Sequence, residues 1–333
     1  MRRKKSVVLL FVIMVLTWLL SGCASSAIRL QQPQIRVSNH HLEAWQQNLS
    51  KDQEFSTINA KGIRGLSVHK DGETIFAVSY EPRQGKQSFD YWDISSPYYS
   101  QVSVNTEELY DLFDAVAQMR FQKIEGISLQ EAGISGSTVS IFVAYNEAQN
   151  SNAQGAAEPT NARIIQIGAE DGQGHYYAAI KDSQQVMLAD QSVVDLILNV
   201  EPYQYILKIP VLVSVDTIEK VQILYGEEQH IMEQSENNWK MDDKEVSQED
   251  FHTFYGEILD VMLTGEREKI AEEERTPVLT VQFIRNMEQI SDIEVKYFPY
   301  DEQSMSVSVN GEENFLVDKK QVQTLLDNID KWF

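Results

Sequence analysis

The chain has 333 residues, with 28 Lys+Arg against 50 Asp+Glu and a formal net charge of −22. Its 42% apolar and 23% charged residues give it globular composition, which excludes collagen-like, coiled-coil and wholly disordered chains, and its length suits about two domains with real cores. The acidic balance excludes a nucleic-acid binder, because a phosphate-binding face has to be basic.

Arg2, Arg3, Lys4 and Lys5 precede Val7 to Leu20, a stretch that is apolar apart from Thr17. A charged start followed by a short apolar segment reads as a secretory signal. At about 1.5 Å rise per residue, this segment falls short of a hydrocarbon core about 30 Å thick, so a permanent span is not expected. It ends in Leu20-Ser21-Gly22-Cys23, which resembles the lipobox of bacterial lipoproteins. The resemblance implies cleavage before Cys23, a diacylglyceryl thioether on its sulfur and acylation of its new amine. Two or three acyl chains anchor stably where one is marginal. Cys23 is the only cysteine, so lipidation leaves no free thiol, disulfide or thiolate metal site. The expected place is the extracytoplasmic face of a cell membrane, with membrane lipid as a partner through acylated Cys23. Loss of residues 1–22 removes four positive charges and no negative ones, which leaves 24 against 50 and a net of −26. Such a surface is repelled by anionic lipid and anionic wall polymers, so the body is expected to stand off the membrane.

Residues 23–60, rich in Gln, Ser and Asn, read as a tether with a short helical piece around His41 to Leu49. His40-His41 has no third ligand nearby and reads as a solvated pair. A first lobe, 61–205, opens on a hairpin signal: Leu66, Val68 and Ile75, Ala77 flank Lys70-Asp71-Gly72-Glu73. Tyr91-Trp92-Asp93-Ile94 and Pro97 follow. Asn105 stands at an N-cap position, with Glu108 placed for a capping box, ahead of Leu109, Leu112, Phe113, Val116 and Met119 at helical spacing. Thr138 to Tyr145 reads as a strand, and Glu147 to Ala162 as a polar surface loop. Strands are expected from Ile164, at Tyr176 to Ile180 and at Val186 to Leu188, with Asp190 capping a helix that carries Val193, Val194, Ile197 and Leu198.

The same order returns in 206–333. Val215 to Tyr225 and His230 to Gln234 flank Gly226-Glu227-Glu228, and Trp239-Lys240-Met241 echoes Trp92-Asp93-Ile94. Ser247 can cap a helix with Phe251, Phe254, Tyr255, Ile258 and Met262. Strands are expected at Val278 to Ile284, Ile293 to Tyr297, Met305 to Val309 and Phe315 to Val317. Asp318 then caps a last helix with Val322, Leu325, Leu326 and Ile329. The expected fold class is α+β: two similar lobes of mostly antiparallel strands, each with helices packed on one face, in an A-B-A-B repeat.

The strand–Trp–linker–helix unit at Trp92 to Met119, and again at Trp239 to Leu263, resembles the DUF4340 family of bacterial extracytoplasmic proteins. So does the ending Asn314-Phe315-Leu316-Val317-Asp318 with Val322 to Ile329, to which Gly174-His175-Tyr176-Tyr177 through Leu198 is similar. The resemblance spans roughly residues 62–333. It implies a lipoprotein, linked in some members to ABC-transporter or gliding-type gene neighbourhoods. It carries over no catalytic residues, since none are established for the family. The insertion at 147–162 departs from a compact unit.

Chemical signatures are few. Gly168, Gly172 and Gly174 do not make a dinucleotide loop, and Gly133-Ile134-Ser135-Gly136-Ser137 lacks the second glycine of a nucleophile elbow. His69, His175, His230 and His252 sit in no helical ligand motif, and neither Asp90-Tyr91-Trp92-Asp93 nor Asp242-Asp243 makes a calcium loop. Glu272-Glu273-Glu274 reads as a solvated face. Phe89, Tyr91, Trp92, Tyr98 and Tyr99 crowd one stretch. The recurrence at Trp239 marks Trp92 as core, which leaves Tyr98 and Tyr99 as the candidate interaction surface. The leading expectation is a non-catalytic interaction or accessory module, without a cofactor, beside a membrane complex such as an ABC transporter. A ligand-binding lipoprotein with its site between the lobes stands second, and an extracytoplasmic hydrolase third.

Overall fold

The computed structural model describes residues 40–48, 50–51, 58–81, 91–99, 102–146, 158–235, 238–268, 275–287 and 292–333. The leader and lipobox, Phe89, residues 147–157, residues 272–274 and the side chains of His40 and His41 lie outside this description.

The hairpin cue at Asp71-Gly72 acts as read. Both residues take left-handed angles, φ 54° and 81°, the geometry of the tight turn that matches strand twist. The turn joins β2 (Ile63–Lys70) to β3 (Glu73–Tyr80). These are preceded by α1 (His40–Asn48) and the two-residue β1 (Ser50–Lys51). The chain continues through β4 (Trp92–Ser96), α2 (Thr106–Gln118), β5 (Phe121–Lys123), β6 (Ser140–Tyr145), β7 (Asn161–Glu170), β8 (His175–Ile180), β9 (Met187–Asp190) and α3 (Gln191–Leu198). Then come β10 (Ile218–Tyr225), β11 (Glu228–Ser235), β12 (Asn238–Met241), β13 (Lys244–Val246), α4 (Gln248–Leu259) and β14 (Leu263–Glu266). Last are β15 (Leu279–Arg285), β16 (Asp292–Pro299), β17 (Ser304–Val309), β18 (Glu312–Asp318) and α5 (Lys319–Trp332).

Three predicted caps form. Asp190 accepts from the Ser192 amide at 2.9 Å, Ser247 from Asp250 at 3.0 Å and Asp318 from Lys320 at 2.8 Å. Asn105 differs. It stands at the N-cap of α2, but its side chain makes no capping bond, and its own amide donates to the Tyr205 carbonyl at 2.8 Å. That bond ties the residue to the chain segment between the sheets.

Two sheets result. The first runs β4-β3-β2-β6-β7-β8-β9-β5, with β1 parallel to β7, and the second runs β13-β12-β11-β10-β15-β16-β17-β18-β14. All pairings other than β1–β7 are antiparallel between named strands. The fold is therefore mixed α+β with mostly antiparallel strands. Inward residues alternate along each strand, as the period of two requires. One continuous apolar core joins Leu66 and Phe76 of the first sheet and Phe113 of α2 to Phe254 of α4, Phe283 of the second sheet and Leu325 of α5. The described residues from 40 onward form one compact unit.

The segment after α3 stitches the sheets together. Leu207 donates to Ser103 O at 2.8 Å, Lys208 O accepts from the Leu263 amide at 2.8 Å, and Val213 O accepts from the Tyr255 hydroxyl at 2.9 Å. Burial pushes the Tyr255 phenol well above its ordinary range, so it remains a donor.

The outer faces of the two sheets differ. On the first, Ala77, Phe142, Ala144 and Ala162 form an apolar strip covered by Leu42 and Trp45 of α1. A helix thus docks within the stretch read as a tether, on the face opposite α2 and α3. Gly65 makes the room. A Cβ there would stand 2.7 Å from Leu42 Cδ2 and 3.0 Å from the Trp45 ring. Trp45 Nε1 donates to Glu158 at 2.9 Å. The second sheet turns Gln222, Gln282, Glu294 and Lys296 outward, and Lys296 pairs with Glu294 at 2.6 Å. That face suits water.

Candidate functional site

The paired tyrosines predicted as a surface are divided by the fold. Tyr99 is 47% exposed at φ 52°, whereas Tyr98 is 2% exposed. This corrects the expectation for Tyr98. Its ring lies 5.0 Å from Phe315, and its hydroxyl donates to Glu266 Oε1 at 2.6 Å. Burial and that bond to a carboxylate push its phenol far above the ordinary tyrosine range. Both residues sit in the turn after β4, where left-handed Tyr99 donates its amide to the Ser95 carbonyl at 3.1 Å, and Tyr98 is the one whose ring fills the junction between the sheets, where burial of apolar area gains most. Trp92 is core as expected, and Trp239 is half-buried against the core.

A cleft of about 320 Å³ opens at one margin of the first sheet, lined by Lys61, Arg64, Tyr80 and Tyr110. Lys61 sits in the short 3-10 turn Ala60–Gly62 and its amide donates to Asn59 Oδ1 at 3.0 Å. Arg64 enters from β2 and is 4% exposed. Its Nη1 donates to the carbonyls of Lys61 and Ile63, both at 2.9 Å, and its guanidinium lies 5.0 Å from the centre of the Tyr80 ring. A cation over an aromatic face is held by the ring's quadrupole. Tyr80, at the end of β3, meets Tyr91 at 5.7 Å and Trp92 at 5.1 Å, both edge-on. Tyr110, on α2, meets Trp92 at 6.2 Å and Phe113 at 5.7 Å. The two phenols are thus fixed by the buried aromatic layer beneath them. Burial raises the Tyr80 pKa, with the Arg64 charge pulling it the other way. Each of the four lining side chains carries hydrogen-bond donors. Sequence reasoning missed this site because its members span 61 to 110. The available signal was Arg64, a charge inside the apolar run Ile63 to Val68.

The histidines have other partners. His69 lies 2.9 Å from Ser67 Oγ and 3.1 Å from Thr74 Oγ1, with Gln46 of α1 at 3.5 Å. This is a serine–histidine pair whose third member is a hydroxyl, so no carboxylate there steadies an imidazolium. Ser67 is 1% exposed. His230 bonds Asp242 at 2.7 Å and its ring stacks 4.4 Å from that of Phe333. His175 bonds Asp171 at 3.0 Å across a turn. Among the described residues no three His, Cys, Asp or Glu side chains converge as for a metal ion, and no helix is long and apolar enough to cross a membrane.

Burial lowers the pKa of His69 below its ordinary 6.5. The unfolded chain therefore takes up this proton first as pH falls, and stability held above about pH 6.5 is lost as pH drops toward the folded pKa. Denaturant midpoints should fall between pH 7.5 and pH 5, with a shallower fall in His69→Gln. Equal slopes for the two proteins would remove His69 from the account.

Comparisons of the chain with family models, with curated proteins and with solved structures return no match.

Proposed function

We propose that this protein is a membrane-anchored extracytoplasmic lipoprotein that works as a non-catalytic interaction module beside a membrane complex of the ABC-transporter type. The observation that carries the reading is Leu20-Ser21-Gly22-Cys23, a lone cysteine closing a charged and then apolar leader. In this reading residues 1–22 are removed, 23–60 link the anchor to the body, and 61–205 and 206–333 are two similar lobes. The strand orders support that duplication. The sequence β4-β3-β2-β6-β7-β8-β9-β5 is matched in chain order by β12-β11-β10-β15-β16-β17-β18-β14. A helix follows the third strand of the first set directly and that of the second after the additional edge strand β13, and another helix closes each set. The resemblance to the DUF4340 family belongs to the same proposal. The non-catalytic role draws support from the Ser67–His69 pair, which is covered by α1 and backed by Thr74 in place of an acid.

The test uses full-length protein in its own membranes. An alkyne fatty acid should label the wild type and leave Cys23→Ser unlabelled. Purification in mild detergent, read by mass spectrometry, should recover permease or ATPase subunits with the wild type alone. Label retained by Cys23→Ser would overturn the anchor, and recovery of the lipoprotein by itself would overturn the module.

The second reading, a ligand-binding lipoprotein, is favoured by the cleft at Lys61. The junction between the sheets is filled by Tyr98, Tyr203 and Phe315, so a ligand reading belongs to the cleft of the first lobe.

A further inference from the structure

We propose that the Lys61–Arg64–Tyr80–Tyr110 cleft binds a small molecule through a phosphate group. The inference goes beyond the accessory-module reading and holds whether or not Cys23 is acylated.

The first argument is polarity. In a chain of net charge −22, the lining of this cleft among the described residues is two cations and two phenols, with no carboxylate. The charge acting on the Tyr80 phenol is that of Arg64, joined by the phenols of Tyr91 and Tyr110. A concave surface lined by donors of one sign concentrates an oppositely charged ligand.

The second argument selects phosphate over carboxylate. A carboxylate is met best by the two parallel bonds of an arginine fork. Here Nη1 of Arg64 is engaged by the Lys61 and Ile63 carbonyls, which closes the end-on fork, and the guanidinium carbon lies 5.0 Å from the centre of the Tyr80 ring. The other lining donors are the Lys61 ammonium, a compact charge with three donors, and the hydroxyls of Tyr80 and Tyr110. Donors carried on three separate elements, a turn, a strand and a helix, suit a tetrahedral oxyanion better than a planar one. Arg64 then acts as the fixed positive floor that holds the Tyr80 ring in place.

The third argument is size and wall chemistry. A volume of about 320 Å³ is at the lower end of small-molecule sites, which run from about 300 Å³ upward. Two phenol rings, braced from below by Trp92 and Phe113, give apolar walls with polar tips, which fit a sugar or glycerol unit attached to the phosphate. Such a phosphate ester occurs free in solution and as the headgroup of a lipid or wall polymer.

The experiment is calorimetric titration of the full-length protein in mild detergent with inorganic phosphate and with glycerol 3-phosphate, glycerol serving as the blank. Saturable binding of at least one phosphate probe is expected. Its dissociation constant should rise about tenfold in Lys61→Gln, the scale of one lost charge-assisted bond. It should rise by a smaller factor in Tyr110→Phe. Equal binding of both probes assigns the site to free phosphate, and preference for glycerol 3-phosphate assigns it to an ester or headgroup; each supports the proposal. Far-UV circular dichroism should match the wild type in both variants, since Lys61 is in a partly exposed turn and Phe keeps the Tyr110 ring. Absence of saturable binding by either probe, or equal affinity in wild type and Lys61→Gln, would overturn it.

Discussion

Replacing Tyr98 with alanine should destabilise the entire folded body by about 3–5 kcal/mol, the range for emptying a buried aromatic site. The ring fills the junction of the two sheets against Phe315, whose ring lies 6.1 Å from that of Tyr203. Phe315 is held in β18 and Glu266 in β14, so the emptied site cannot close without moving strands. Tyr98→Phe keeps the ring and loses the bond to Glu266. Glu266 is exposed, so water can satisfy it once the partner is gone, and the cost should be about 1 kcal/mol. Chemical denaturation followed by tryptophan fluorescence and by far-UV circular dichroism checks both values. Because one core spans both sheets, the two probes should report coincident transitions in the wild type and in Tyr98→Phe. A loss below about 1 kcal/mol in Tyr98→Ala, or separate transitions in the wild type, would contradict a shared core.

Gly168→Ala carries the second large effect. Gly168 lies in β7 where its register with β8 shifts, and the Ala132 carbonyl crosses directly over it. A Cβ would stand 2.2 Å from that oxygen and 2.8 Å from Ile134 Cγ1. No rotamer change relieves the first contact, because the obstacle is backbone. The segment carrying Ala132 and Ile134 would have to lift from Ala179 and Val186, which it buries. The expected loss is about 3 kcal/mol, at the top of the usual range for overpacking. Gly256→Ala supplies the opposite sign. It is in the interior of α4 with nothing within 4 Å of the added methyl, and should stabilise by about 0.5–1 kcal/mol through helix propensity and a less flexible unfolded chain. Denaturant midpoints for the pair should move in opposite directions; a neutral Gly168→Ala would show that the crossing segment is free to shift.

Much of the architecture is written in local signals. Asp71-Gly72, the caps Asp190, Ser247 and Asp318, and the apolar spacing of α2, α4 and α5 each depend on a few adjacent residues, so each could be read directly. β5 and β14 could not. They have three and four residues, too few for a period, and they exist because β9 and β18 offer open edges to pair with. The β12–β13 hairpin turns on Asp242-Asp243, both at positive φ, where two aspartates give no glycine cue. Tyr98 was misread because polarity pattern does not tell which of two adjacent tyrosines faces the junction. The donor-lined cleft escaped for a related reason: its residues come from a turn, two strands and a helix, and only the β2–β3–α2 packing gathers them.

The docking of α1 sets a length. Measured from an acylated Cys23, only Ala24 to Asn39 separate the lipid from a helix held on the first sheet by Leu42 and Trp45. Sixteen residues span at most about 55 Å when fully drawn out, whereas the 37 residues from Ala24 to Ala60 would span about 130 Å. Under the proposed anchor the folded body would be on a short leash, which would keep the donor-lined cleft in a layer next to the bilayer. A ligand met there would be embedded in that membrane, project from it, or diffuse through that layer.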